Sequence, residues 1–133
     1  MPKLFTLSKQ ERLKSKKDIE TLFQHGKAFF IYPFKTIYRF SDRSISEEPM
    51  KFMATAPKKH FRKATARNRI RRQMKEAYRL QKNELSQILS PQSRSLQIII
   101  IYQSPDKMTY ADIHKRIGEC LLKLNKIAQI QPE

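Results

Sequence analysis

The chain has 133 residues, room for one domain around a single core, and carries 28 Lys and Arg against 12 Asp and Glu, a net charge of +16. Because 39% of its residues are still hydrophobic, it reads as a folded binder of polyanions rather than a disordered basic tail. Two glycines cannot build a Gly-rich phosphate cradle, and one cysteine, Cys120, cannot form an internal disulfide, which argues against a nucleotide-hydrolysing enzyme and for a reducing compartment.

The first 14 residues read as a basic N-terminal tail without the hydrophobic segment of a secretory signal. No apolar run reaches the length of a membrane span, so a cytoplasmic protein is expected. SKKDIETLFQHGK predicts a helix over residues 16–25: Ser15 and Asp18 form a capping-box pattern, Ile19, Leu22 and Phe23 recur at helical spacing, and Gly26 ends it. FKTIYRF alternates Phe34, Thr36, Tyr38 and Phe40 against Lys35, Ile37 and Arg39, a strand over 34–40 with two different faces. A polar loop follows, then a second strand over 51–56 that Pro57 ends.

From Ala66 the period becomes helical, with Ile70, Met74, Ala77 and Tyr78 on one stripe that Leu85, Ile88 and Leu89 extend toward residue 89 past an interruption at Gln81. SPQSR is a turn, and LQIIIIY predicts a buried central strand over 96–102. Thr109 with Asp112 is a second capping pattern. It opens an amphipathic helix with Ile113, Ile117, Cys120, Leu121, Leu124 and Ile127 inward and a frayed end from 128. Helices packed on a sheet, as a small single-domain α/β sandwich, is the architecture this order implies.

His25, His60 and His114 fall on different elements without ligand spacing, so neither a metal site nor a catalytic constellation is expected. Cys120 reads as a buried structural thiol. The basic segment is different in kind: between Lys58 and Lys82 stand eleven Lys or Arg and one acid, Glu76, for a local charge of +10. At 100° per residue Asn68, Arg72, Lys75 and Arg79 share a face opposite Ile70, Met74 and Ala77, with Arg69 and Arg71 on its flanks. An ordinary solvated helix face would mix signs. Here like charges repel until phosphates offset them, and the prevalence of arginine favours bidentate contacts to RNA over a membrane surface. A DNA duplex remains the competing polyanion at this level. Phe23, Phe34, Tyr38 and Phe40 could stack unpaired bases beside Lys35 and Arg39, or pack in the core.

The stretch ARNRIRRQMKEAYRL, preceded by PKK, resembles the signature of the bacterial ribonuclease P protein subunit, and RLKSKKDIETLFQHGK and LQIIIIYQSPDKMTYADIHKRIGECLLKL resemble that family's first and last blocks. About residues 10 to 125 are covered. The resemblance implies an α+β sandwich of order αβββαβα with a left-handed β-α-β crossover, like domain 2 of ribosomal protein S5. It implies a protein that assists a catalytic RNA in removing the 5′ leader from precursor tRNA. The RNA would hold the magnesium ions, and the protein would bind no cofactor itself. Its partners would be the ribonuclease P RNA subunit and the leader-bearing precursor, with neither membrane nor DNA. Arg67, Asn68, Arg69, Arg71 and Arg72 would contact the RNA subunit together with Lys75 and Arg79. Lys58, Lys59, Arg62 and Lys63 would do so from the approach loop. Ile19, Phe23, Phe34, Thr36 and Tyr38 would line the cleft between first helix and sheet that takes the single-stranded leader. A ribosomal or other structural RNA-binding protein is the alternative.

Overall fold

The computed structural model describes residues 9–43 and 47–130. After a short 3-10 turn at Lys9–Glu11, the order is α1 (Lys16–His25), β1 (Lys27–Ile31), β2 (Phe34–Asp42), β3 (Met50–Thr55), α2 (Ala64–Gln81), α3 (Asn83–Leu89), β4 (Arg94–Tyr102) and α4 (Tyr110–Ile130). The strands form one sheet in the order β1-β2-β4-β3. β1 and β2 form a hairpin whose turn contains a cis Tyr32–Pro33 peptide. β4 runs antiparallel to β2 and parallel to β3, so α2 and α3 carry the crossover between two parallel strands.

Both capping patterns are formed. The Asp18 amide donates to Ser15 Oγ at 3.3 Å, and the Asp112 amide to Thr109 Oγ1 at 3.1 Å, each satisfying an otherwise unpaired donor of a first helical turn. Gly26 ends α1 because the chain turns there against both helix and sheet. A Cβ would collide with the Leu22 carbonyl oxygen and come within 2.9 Å of Ile37 Cγ2. Gln81, which breaks the apolar stripe of α2, has an inter-helix role: its Nε2 donates to Ala77 O at 3.0 Å and to His114 O on α4 at 2.9 Å. The α2 helix stops there, and Lys82 separates it from α3, so residues 66–89 are two helices rather than one.

The sheet has apolar packing on both faces. Phe34, Tyr38, Phe52, Ile98 and Tyr102 face α2, α3 and α4. Phe52 stacks on Tyr78 with centroids 3.8 Å apart, and Phe34 meets Tyr102 edge to face at 5.5 Å. On the opposite face Ile37, Ile99 and Ile101 meet Leu22 of α1 and Leu13, with Ile19 and Met53 at the margin. All nine residues of β4 are buried, as its β-branched run predicts.

Three further expectations change. Residues 27–31, to which the sequence pattern assigned no element, are the edge strand β1. Residues 9–14 are no loose tail: Arg12 bridges Phe52 beside β3, the Leu13 amide donates to Phe52 O at 3.0 Å, and Leu13 is buried. Residues 1–8 lie outside the described residues. Residues 128–130 are helical rather than frayed, with Ala128 buried and its carbonyl accepting from Arg94 Nη2 at 3.1 Å; residues 131–133 are outside the description.

Candidate nucleic-acid interface

The α2 helix packs Ile70, Met74, Ala77 and Tyr78 into the core and thereby turns Asn68, Arg71, Arg72 and Lys75 toward a groove beside β3. Arg12, Leu13 and Lys14 of the N-terminal segment line the groove, and Met53 and Thr55 come from the strand. Its volume is about 840 Å³, and no carboxylate is among its lining residues. Five of those residues are Lys or Arg, so every charged side chain lining it is positive. The α2 helix adds to this positive charge, because its first turn contains no acid and its N-cap, Lys63, makes no side-chain cap.

The expected RNA-contacting residues divide into groups. Asn68, Arg71, Arg72 and Lys75 meet in the groove, where Arg71 donates to Asn68 Oδ1 and leaves the Asn68 amide NH₂ as the group able to donate to a ligand. Lys58, Lys59, Arg62 and Lys63 are exposed on the loop leading into α2, and Arg69 is exposed on the helix outside the groove. Arg67 is half-buried and donates from Nη1 to Phe61 O and Arg62 O, both at 2.8 Å. It therefore fastens the basic loop to α2. Phe61, buried edge to face against Tyr102 at 5.3 Å, holds that loop from beneath.

Arg79 pairs with Glu76. The guanidinium holds the Glu76 carboxyl below its ordinary range, and the carboxylate raises Arg79 in turn. Its charge is thus partly offset within the helix, unlike the groove cations. Lys82, the last cation of the segment, is buried and pairs with Glu11, which fastens the 3-10 turn to the end of α2.

The aromatic assignments need correction. Phe34, Thr36 and Tyr38 point away from α1 into the layer beneath α2 and α4 and are buried; the α1 face of β2 is Lys35, Ile37 and Arg39. A one-residue change of register exchanges the two faces of a strand. Burial also pushes the Tyr38 hydroxyl upward. Ile19 is half-buried and Phe23 is 53% exposed on α1, so these two stay available to a strand lying along the helix.

Sequence reasoning missed Arg12, Lys14, Met53 and Thr55. The signal lay in RLK, where one apolar residue between two cations is the alternation of an edge strand. Among the described residues, no group of three or more His, Cys, Asp or Glu could hold a metal ion, and no helix is long and apolar enough to cross a membrane.

A family model described as Ribonuclease P matches residues 7–125. The ribonuclease P protein component of Porphyromonas gingivalis strain W83 is 33% identical over 124 residues, covering 92% of this chain and 89% of that protein. That of Syntrophus aciditrophicus is 30% identical over 124 residues, covering 91% and 92%. In fold, the chain is similar to the RNase P protein of Staphylococcus aureus, with a TM-score of 0.66, 24% identity and coverage of 88% of this chain and 96% of that one. It is also similar to the RNase P protein of Thermotoga maritima, with a TM-score of 0.62, 19% identity and coverage of 92% and 99%.

Proposed function

This chain belongs to the ribonuclease P protein family, and from that premise we propose that it serves as the RNA-binding subunit of a holoenzyme that removes the 5′ leader from precursor tRNA. Its partner is the ribonuclease P RNA, which in this reading performs the hydrolysis and holds the magnesium ions, while the protein supplies positioning and charge. The observation that carries the reading is the groove itself: cations from two distant segments and the Asn68 amide converge beside a strand edge with no carboxylate lining the space.

Phosphates of the RNA subunit meet the exposed loop cations Lys58, Lys59, Arg62 and Lys63 and the outer arginine Arg69. A single-stranded leader lies in the groove, with Arg71, Arg72 and Lys75 against its phosphates and Met53 and Thr55 under it; Ile19 and Phe23 offer apolar surface from α1. Backbone contacts of this kind bind strongly without demanding a sequence. The side chains move no proton and form no bond in this reading; they raise the local concentration of substrate and offset the repulsion between two RNAs. The setting is the cytoplasm, in keeping with the lone buried thiol.

Reconstitution tests the proposal. With a bacterial ribonuclease P RNA at low magnesium, adding the protein should increase cleavage of precursor tRNA at the mature 5′ end. Preference for precursor over mature tRNA should depend on the leader. Absence of stimulation with an RNA from a close relative overturns the reading, and cleavage by the protein alone would overturn the assignment of catalysis to the RNA.

A further inference from the structure

The register of the sheet connects the groove to its far edge. Thr55, which lines the groove, pairs with Ile101. Ile101 pairs with Lys35, and Lys35 with Phe30. Directly paired residues share a face, so Thr55, Ile101, Lys35 and Phe30 form one row on the α1 side, three strand spacings or roughly 14 Å long. Ile101 at the middle of the row is buried in the cluster with Leu13 and Leu22, together with Ile99 and Ile37 of the neighbouring row Met53, Ile99, Ile37 and Ala28, whereas Thr55 and Lys35 on either side of it are half-buried.

At the end of the row Phe30 is 55% exposed, and a shallow hollow of about 280 Å³ lies between it, Ala28, Phe29 and Lys35. The ring of Tyr32, 47% exposed, meets that of Phe30 edge to face with centroids 6.4 Å apart. Tyr32 is held in place: its hydroxyl donates to Asp106 Oδ2 at 2.7 Å and lies 3.0 Å from Ser104 Oγ. A ring fixed by its polar end, with much of its surface open to water, loses little freedom when something stacks on it.

We propose that Phe30, Tyr32 and Lys35 form a distal subsite for single-stranded RNA, on the same sheet face as Thr55 of the basic groove and separated from it by the covered Ile101. It takes unpaired bases of the leader further from the cleavage point than those in the groove. This rests on the groove's being the leader site and adds the strand's onward path. Two rings beside a lysine suit a base and its phosphate. The patch is far smaller than the surface a stable protein partner buries, and two of the four residues lining the hollow are aromatic.

The test uses the reconstituted holoenzyme and precursor tRNAs whose leaders either end within the groove or extend beyond it. The unaltered protein should bind the long-leader substrate more tightly than the short-leader one. Phe30→Ala should lower that ratio about tenfold, whereas Phe30→Trp should retain it. The chain has no tryptophan, so Phe30→Trp also gives a single tryptophan that can be excited apart from the tyrosines, its emission expected to be quenched by the long leader and not by the short one. An unchanged ratio in Phe30→Ala, or fluorescence indifferent to leader length, overturns the distal subsite. Replacing Arg71 and Lys75 together by alanine distinguishes the two readings: loss of affinity for both leaders upholds the groove whatever Phe30 does, and no loss for either removes the groove reading and the path built on it.

Discussion

Lys82 donates to the carboxylate of Glu11 across 71 positions of sequence, with side chains only 4% and 12% exposed. The pair joins the end of α2 to the segment that brings Arg12 and Lys14 into the groove, so the fold and the proposed RNA-binding groove share a fastening. Removing one member of a buried pair leaves the other charge poorly compensated and costs about 3–5 kcal/mol. Lys82→Met should therefore destabilise the fold by about 3 kcal/mol in urea unfolding. Lys82→Met with Glu11→Leu should recover most of that loss while still weakening RNA binding. Equal losses in single and double variants would show that the pair is not the cause.

The arginines of α2 should separate into fasteners and binders. Arg67→Ala removes two charge-assisted bonds to loop carbonyls and should cost about 1–2 kcal/mol of stability. Arg69→Ala, at an exposed site, should change stability by less than about 0.5 kcal/mol. Arg71→Ala and Lys75→Ala should each leave the fold intact and reduce the log–log salt dependence of RNA binding by about 0.7–0.9 per lost phosphate contact. Filter binding over a salt series reads this directly, and an unchanged slope would place those side chains away from phosphate.

Phe23 on α1 and Phe34 on β2 were both expected to line the leader cleft, yet they should respond oppositely. Phe34, fully buried, should cost about 3–5 kcal/mol when changed to alanine and affect all RNA substrates alike through folding. Phe23→Ala, at 53% exposure, should barely change the unfolding midpoint but weaken leader-bearing substrate by about 1 kcal/mol. If Phe23→Ala melts the protein and leaves discrimination intact, its ring is structural.

Alkaline pH should loosen the fold through Cys120. Burial pushes its thiol up to about 11 from an ordinary 9.0. Between these values the unfolded chain releases a proton that the native chain retains, so stability is complete below pH 9 and falls as pH rises toward 11. The loss at pH 10 is about 1.4 kcal/mol. Burial pushes Tyr102 up to about 12 and Tyr78 upward as well, which continues the trend. Urea unfolding at pH 8 and 10 should show a drop that is smaller in Cys120→Ala; a drop of the same size in both would assign it to the tyrosines.

Much of this was legible in the chain. Helical periodicity located α1, α2 and α4, and the short run LQIIIIY marked the central strand because four consecutive β-branched isoleucines suit a strand covered on both faces. β1 escaped because KAFFI has no clean alternation and follows α1 after a single glycine. The inward face of β2 could not be chosen from its pattern, since both faces are covered: Phe34 and Tyr38 by one layer, Ile37 by the other. The cations of α2 were found from charge density alone, but Arg12 and Lys14 needed the tertiary contact between Leu13 and Phe52. The different duties of Arg67, Arg79 and Lys82 depend on partners that spacing does not reveal.

The position of β4 between β2 and β3 sets a timetable for biosynthesis. The strand that unites the two halves of the sheet is the last one translated, and at about 5–20 residues per second the stretch from Gln81 to Tyr102 takes roughly 1–4 s. During that interval the α2 arginines have been synthesised on a chain whose sheet is incomplete, and β3, which lines the groove, waits for β4, the strand that joins it to the rest of the sheet. Specific RNA recognition therefore belongs to the finished protein, and a nascent chain offers only diffuse positive charge.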